Sequence, residues 1–351
     1  MKIPAVVLGA TGYVGGELLR LISGHPNIEL AAALSGSRAG EAIATTFPHL
    51  AGVYRKEQFV APDAWTNSVA SADRVALFSA APHGAAANAI SGMLNDAAAQ
   101  QLEMHCVDAS ADFRFDDLEL FARVYGFEHP QPELAKQFQC AVPEHVAGSS
   151  TQHAAHPGCF ATAMLLPAVP LVAAGLVGED LFVSAITGST GSGRTPVAGT
   201  HHPERNSNLY AYKPLAHRHA PEVESLITRT TGQVAKVHFV PHSGPFARGI
   251  HATLQAKLVG NPTLDDVRAV LEQAYADSPF VHIIDGTPRI KNVVSSNQAM
   301  LGLAIARDTV TVMCVIDNLV KGAAGGAVQW MNRLWGLPEA AGLAAPAPAW
   351  T

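Results

Sequence analysis

Near the start of the chain, "AVVLGATGYVGGELLRLI" (residues 5–22) carries an apolar strand from Pro4 to Leu8 into a glycine turn, and out again into a helix from Tyr13. The glycines fall at Gly9, Gly12 and Gly15, a G-x-x-G-x-x-G spacing rather than the commoner G-x-G-x-x-G. The physical demand is the same in both. Bare backbone turns tightly, approaches a pyrophosphate closely and offers it the free N–H groups of the helix that follows. A glycine triplet alone is weak; a strand before it and a helix after it give it a structural context.

The next strand, "IELAAALSGSR" (28–38), bears on the choice of dinucleotide. An NAD site wants a carboxylate near the strand's end to accept from the ribose 2′-hydroxyl, but Glu29 stands at its beginning. The end reads Ser35-Gly36-Ser37-Arg38, and hydroxyls with a guanidinium suit a 2′-phosphate, so NADP is the expected cofactor. The competing reading of Arg38 is a solvated loop cation. Two further strand-and-turn units, "RVALFSAAPHG" (74–84) and "HCVDASADFRF" (105–115), place Pro82, His83 and the Ser110–Asp112 turn at the carboxyl ends of strands, where such sheets bind ligands. His83 either touches the cofactor or is fixed by local hydrogen bonds. The pattern predicts an α/β, doubly wound, Rossmann-type domain over residues 1–155, completed by the C-terminal helix, 318–351.

Beyond residue 180 the texture changes. Strands are expected at 181–189, 233–242, 248–258, 300–307 and 309–317, the last two joined by a tight turn at Asp308 and therefore antiparallel. An amphipathic helix over 263–277 opens on a Thr cap with an acidic first turn. Residues 156–317 thus read as an α+β catalytic and oligomerisation domain with a mainly antiparallel sheet, and a homo-oligomer (dimer or tetramer) is expected.

Composition narrows the functional classes. A net charge of −6 argues against a nucleic-acid-binding surface. The four cysteines, Cys106, Cys140, Cys159 and Cys314, form no CxxC pair and suit a reducing cytoplasm. The N-terminus lacks a signal-peptide shape. The apolar run at 159–177 has the length of a membrane span, yet Pro167 and Pro170 interrupt it and Gly178-Glu179-Asp180 ends it, so it reads as a buried helix with a connector.

That run opens on "HPGCFATA" (156–163). Cys159 is either a small buried hydrophobe or a thiolate at a helix N-terminus, where free N–H groups favour both the thiolate and a developing oxyanion. Histidines follow at His201, His202, His217 and His219. They lack the carboxylate companions of a metal motif, so no metal is expected. Any one of them can be structural, and His219, just before a helix start with Glu222 nearby, suits an acid/base partner for the thiol. A dinucleotide site and a nucleophilic cysteine in one chain point to acyl chemistry, in which a thioester is reduced to an aldehyde. The rival class is a redox-sensing regulator that binds NADP without turnover.

These residues carry a resemblance. "GATGYVGGELLRL", "SADFRF", "PGCFATA", "HRHAPEVE", "VPHSGPFARGI", "IDNLVKGAAGGAVQWMN" and "GLPEAAGL" make the chain similar, over nearly its whole length, to the N-acetyl-gamma-glutamyl-phosphate reductases, relatives of aspartate-semialdehyde dehydrogenase. The resemblance implies Cys159 as nucleophile and His219 as acid/base. It implies NADP contacts from Gly9, Thr11, Gly12, Tyr13, Val14 and Gly15, from Ser35, Ser37, Arg38 and Pro82, from the "GSTGSGR" loop with Gly188, Gly191 and Gly193, and from Asn318. Arg114, His217, Glu222 and Arg248 become candidates for the substrate, a small-molecule acyl phosphate. The chain departs from the family's Asn-Pro-Gly-Cys-Tyr-Pro-Thr at His156, Phe160 and Ala161, and its "GTHHPERNSNLY" loop is similar to a branch acting on carrier-protein-linked aminoadipyl phosphate. An N-acetyl, N-succinyl or carrier-linked substrate all stay open on these residues.

Overall fold

A computed structural model describes residues 2–148 and 151–349. The chain forms two compact units: Met1–Ala141 with Gly148–His156 and Ala323–Ala344, and Val142–Ala147 with Pro157–Gly322 and Ala345–Thr351. It crosses between them five times, at Ala141/Val142, Ala147/Gly148, His156/Pro157, Gly322/Ala323 and Ala344/Ala345. The short segment Val142–Ala147 and the stretch up to Gly322 thus belong with the second unit, where Glu144 pairs with Lys321 and His145 meets Tyr275.

The first unit holds a parallel sheet of β1 (Ile3–Leu8), β2 (Ile28–Leu34), β3 (Phe59–Val60), β4 (Arg74–Ser79), β5 (Glu103–Asp108), β6 (Phe138–Cys140) and β7 (His153–Ala155). Its order, β3-β2-β1-β4-β5-β7-β6, reverses direction beside β1. The turn after β1 and the Pro82 turn after β4 therefore flank the switch point where doubly wound sheets hold ligands. The helix Tyr13–Ser23 buries Leu18, Leu19 and Ile22 on this sheet's core side, which fixes the glycine turn between two packed elements.

The second unit is built on β8 (Val177–Thr187), β9 (Tyr210–Ala211), β10 (Lys236–Ser243), β11 (Ile250–Leu258), β12 (Val281–Ile283), β13 (Ala299–Ala306) and β14 (Thr309–Ile316). The order is β12-β13-β14-β11-β8-β10-β9, antiparallel except at the β12/β13 and β8/β10 pairs. The β13–β14 hairpin turns through Arg307 and Asp308, antiparallel as the sequence indicates. Along β8, Leu181, Val183 and Ala185 are buried while Phe182 and Ser184 face out, the period-two pattern of a half-buried strand.

Three elements differ from expectation. β8 begins at Val177 rather than 181, because Glu179 and Asp180 are satisfied across the sheet by Lys236 (3.0 Å) and His238 (2.8 Å). The helix Cys159–Ala173 runs through both prolines instead of stopping at them. Pro170 cannot donate to the Leu166 carbonyl, and the Tyr275 hydroxyl donates to it instead at 2.6 Å. The C-terminal helix expected from 318 starts later. A π-helical turn, Val320–Ala324, precedes the helix Gly325–Leu334, because the Asp317 carboxylate takes the N–H groups of Leu319 (2.8 Å) and Val320 (2.9 Å). Among the described residues no helix is long and apolar enough to cross a membrane.

Candidate active site

In the second unit, Gly158 adopts extended backbone as the cap of the Cys159–Ala173 helix, so Cys159 is the first helical residue. Gly158 has no side chain to bond the first turn, and that turn holds no acidic residue, so the positive end of the helix dipole lies at Cys159. Phe160 to Val172 are all buried, so the helix is held on every side and Cys159, only half-buried, stands at its mouth. The other three cysteines are fully buried. Burial pushes the Cys106 thiol well up, and pushes Cys314 up to about 12, so neither forms a thiolate near neutral pH.

His219 is the first residue of the helix His219–Thr231 and is itself buried. Both helix starts meet on one cavity of about 490 Å³, lined by Cys159, His217, His219, Tyr212, Lys213 and Arg218, together with the backbone of Gly188 and Gly191. The rings of His217 and His219 lie 4.6 Å apart, with Phe160 set edge-on to each at 5.7 and 6.1 Å. His217 Nδ1 accepts from the His219 backbone N–H at 3.2 Å. Burial first, then the charges of Arg218 and Lys213, lower His217 to about 4. The ring is therefore neutral near pH 7, with its proton on Nε2. Burial and the neighbouring Cys159 raise the Tyr212 phenol.

Glu222 is completely buried, and its Oε1 accepts from the Gly158 N–H at 2.7 Å, tying the histidine helix to the cap of the cysteine helix. It stands outside the cavity lining, as do Arg248, Asn318 and Gly193. Arg248 forms a two-pronged pair with buried Asp317, at 3.1 and 3.2 Å. Asn318 accepts from the Gly249 N–H at 2.7 Å and donates to the Thr190 hydroxyl at 3.0 Å, which props the 188–193 loop. In that loop Gly193 has φ +86°, and a Cβ on Gly188 would run into the Ala247 backbone. His201 and His202 are exposed, and no group of three metal-ligating residues occurs among the described residues.

Lys213 and Arg218 were not singled out by sequence reasoning. Their signal was available: a cation inside the HxH, Arg218, and another four residues before it, Lys213, in an acidic chain. Lys213 also has φ +43°, a left-handed conformation that a non-glycine residue adopts at a cost of about 1–2 kcal/mol.

In the first unit Gly9 has φ +73°, and a Cβ there would come 2.5 Å from the Ala80 carbonyl oxygen. A Cβ on Gly15 would come 2.6 Å from the Gly9 oxygen, whereas one on Gly12, the helix cap, meets nothing closer than 3.7 Å. A pyrophosphate needs such a bare, uncapped turn, and these residues fit a dinucleotide. At the end of β2 the Ser35 hydroxyl accepts from the Arg38 N–H at 3.2 Å, and the exposed Arg38 guanidinium pairs with Glu41 at 3.0 Å. Ser37 and Pro82 are exposed. His83 Nδ1 accepts from the Ala111 N–H at 3.0 Å, so the ring is fixed locally. Asp112 accepts from the N–H groups of Gly84 (2.8 Å) and Ala87 (3.0 Å).

Arg114 is buried in this unit and donates to two carbonyls, those of His156 and Ala109, each at 3.1 Å. His156 is fully buried with its ring against Gly326, where a Cβ would overlap it. The first of the three positions that depart from the family pattern is therefore filled by a packing ring.

Comparison with known proteins agrees with this architecture. Residues 4–181 match the family described as semialdehyde dehydrogenase, NAD binding domain, and residues 159–318 the one described as semialdehyde dehydrogenase, dimerisation domain. Among solved structures, aspartate semialdehyde dehydrogenase with NADP from Candida albicans superposes with a TM-score of 0.69 at 15% identity, covering 96% of this chain and 99% of that one. Aspartate semialdehyde dehydrogenase II complexed with ASA from Vibrio cholerae gives 0.67 at 16% identity, covering 96% and 98%. Fold and domain matches together define an oxidoreductase of the semialdehyde dehydrogenase class with a nicotinamide-dinucleotide-binding domain. N-acetyl-gamma-glutamyl-phosphate reductase from Rhodopirellula baltica is 38% identical over 97% of this chain and 98% of its own length. The enzyme of that name from Methanosarcina barkeri is 37% identical over 99% of both. The chain belongs to the N-acetyl-gamma-glutamyl-phosphate reductase family.

Proposed function

We propose that this protein reduces an N-acyl-γ-glutamyl phosphate, the N-acetyl compound of arginine biosynthesis, to its semialdehyde with NADPH, through a thioester on Cys159. The observation that carries the reading is the half-buried Cys159 opening a helix on the cavity it shares with His219. The thiolate attacks the acyl carbon, the C–S bond forms, and the C–O bond to phosphate breaks. The positive end of the Cys159 helix stabilises the oxyanion of that step. Bound NADPH supplies the hydride that reduces the thioester carbonyl. His219 accepts the thiol proton in the first half and returns a proton to the carbonyl-derived oxygen in the second. The hemithioacetal then gives its hydroxyl proton back to His219 as the C–S bond breaks and the thiolate leaves, so the net change is acyl phosphate, NADPH and a proton to aldehyde, phosphate and NADP.

Neutral His217, with its proton on Nε2, is suited to donate to a substrate oxygen. The turn Ser35–Arg38 supports NADP over NAD, since it offers hydroxyls and a cation where an NAD site places a carboxylate. The reading includes a homo-oligomer built through the second unit's sheet and, given the free cysteines, a reducing cytoplasmic setting.

The test is steady-state turnover of N-acetylated, N-succinylated and carrier-linked semialdehydes by the wild type and by C159A. The reading expects the N-acetyl compound to be preferred and C159A to lose more than about a thousandfold in kcat. Persistent phosphate-dependent turnover in C159A would overturn the thioester route, and preference for a carrier-linked compound would reassign the substrate.

A further inference from the structure

Two ionisable side chains that the proposed chemistry does not use lie together in the second unit. Lys321 Nζ donates to Glu144 Oε1, and the two side chains are only 0% and 3% exposed. Desolvating two charges is expensive, and such a pair is weak evidence for stability on its own. What it holds in place is more informative. Lys321 lies in the π-helical turn, and the next residue, Gly322, packs on the nucleophile: a Cβ there would come 2.8 Å from the Cys159 Cβ.

Glu144 belongs to the single turn Pro143–His145. Its neighbour His145 lies 2.9 Å through Nε2 from the Tyr275 hydroxyl, which donates to the Leu166 carbonyl. A phenol has one proton to give, so the hydroxyl accepts from His145 Nε2–H. Burial lowers His145 to about 4 and keeps it neutral for that role. Leu166 sits on the Cys159 helix, and its carbonyl is the one that Pro170 cannot serve. One three-residue turn therefore has two arms: one ends behind Cys159, the other on its helix.

We infer that Glu144 and Lys321 are positioning residues, which with the His145–Tyr275 arm hold the Gly322 turn and the Cys159 helix in register and so set how the sulfur is presented to the cavity. The inference rests on Cys159 being the acyl acceptor.

Alkylation of Cys159 by iodoacetamide over about pH 6–9, located by peptide mapping, reads thiol presentation without turnover. The variants are K321M/E144Q, which removes both charges and avoids a lone buried ion, K321R, and Y275F, which cuts only the other arm. In folded K321M/E144Q and Y275F, alkylation and kcat are expected to fall about tenfold with KM values within about twofold, and K321R to recover most of the loss. A wild-type alkylation profile and kcat in either folded variant overturns the inference. If the charge variant does not fold, Y275F decides alone. Full turnover in C159A would instead sink the thioester reading, and the alkylation profiles would still read the brace.

Discussion

The Glu222 carboxylate accepts the Gly158 N–H at 2.7 Å, so the helix that begins with His219 is fastened to the residue before Cys159. The two groups that the proposed chemistry pairs are thus held by a buried acceptor one helical turn beyond the histidine. Removing it leaves Gly158 N–H buried without that partner, a loss of about 1–3 kcal/mol. E222A is expected to lower stability by that amount and kcat by about tenfold or more, and E222Q, which keeps an acceptor oxygen, to lose less. Urea unfolding and steady-state kinetics check both. Equal kcat in E222A and wild type would remove Glu222 from the site's support.

The glycines of the first turn are unequal. Gly9 combines φ +73° with an overlap at the Ala80 oxygen, and Gly15 backs onto Gly9 itself, while Gly12 has room for a methyl group. G9A and G15A should therefore weaken NADPH binding by more than about tenfold and lower the melting temperature. G12A should leave stability within about 0.5 kcal/mol. Fluorescence titration of NADPH and thermal unfolding separate the three.

Arg38 lies in the turn after β2, where its guanidinium pairs with the exposed Glu41. R38A is expected to raise KM for NADPH about tenfold or more while leaving KM for NADH within about twofold. A parallel loss for both dinucleotides would assign the 2′-phosphate contact elsewhere.

Three histidines make the fold sensitive to acid. Burial is the first cause that lowers His145, His153 and His217, each to about 4, against an unfolded value near about 6.5. Between those values the unfolded chain binds more protons than the native one, so stability rises with pH there. It is fully present above about 6.5 and falls as the pH drops toward 4, by at most about 1.4 kcal/mol per pH unit for each ring. His153 is nearly inaccessible, and its Nδ1 accepts from the Cys106 N–H at 3.2 Å. H153N, which can keep an acceptor there, should flatten part of the slope in a pH series of urea midpoints; an unchanged slope would mean His153 takes no part.

What was legible in the sequence was local. The glycine turn, the β13–β14 hairpin and the cysteine behind Pro157-Gly158 are each decided by a few adjacent residues and a fixed backbone demand. Partners far apart in the chain were not legible. Arg248 reads as a free fork for a substrate anion until Asp317, 69 positions on, closes on it. Arg114 is spent on two carbonyls, and Asn318 on a glycine N–H and a threonine. Pro167 and Pro170 read as breaks because the hydroxyl that rescues the helix comes from Tyr275, 109 positions after Leu166.

The five crossings of the chain between its two units bear on how such a protein can change. Neither unit is a contiguous stretch of sequence, so no single cut releases one intact, and a nucleotide-binding half cannot be exchanged for another by one recombination event. Two of the joints, His156/Pro157 and Gly322/Ala323, flank Cys159 and the glycine packed against it. A graft at either would be joined at the footing of the cysteine proposed as nucleophile. Changes in the 199–210 loop, which lies within the second unit and lines the cavity at Gly199 and Tyr210, disturb none of these joints.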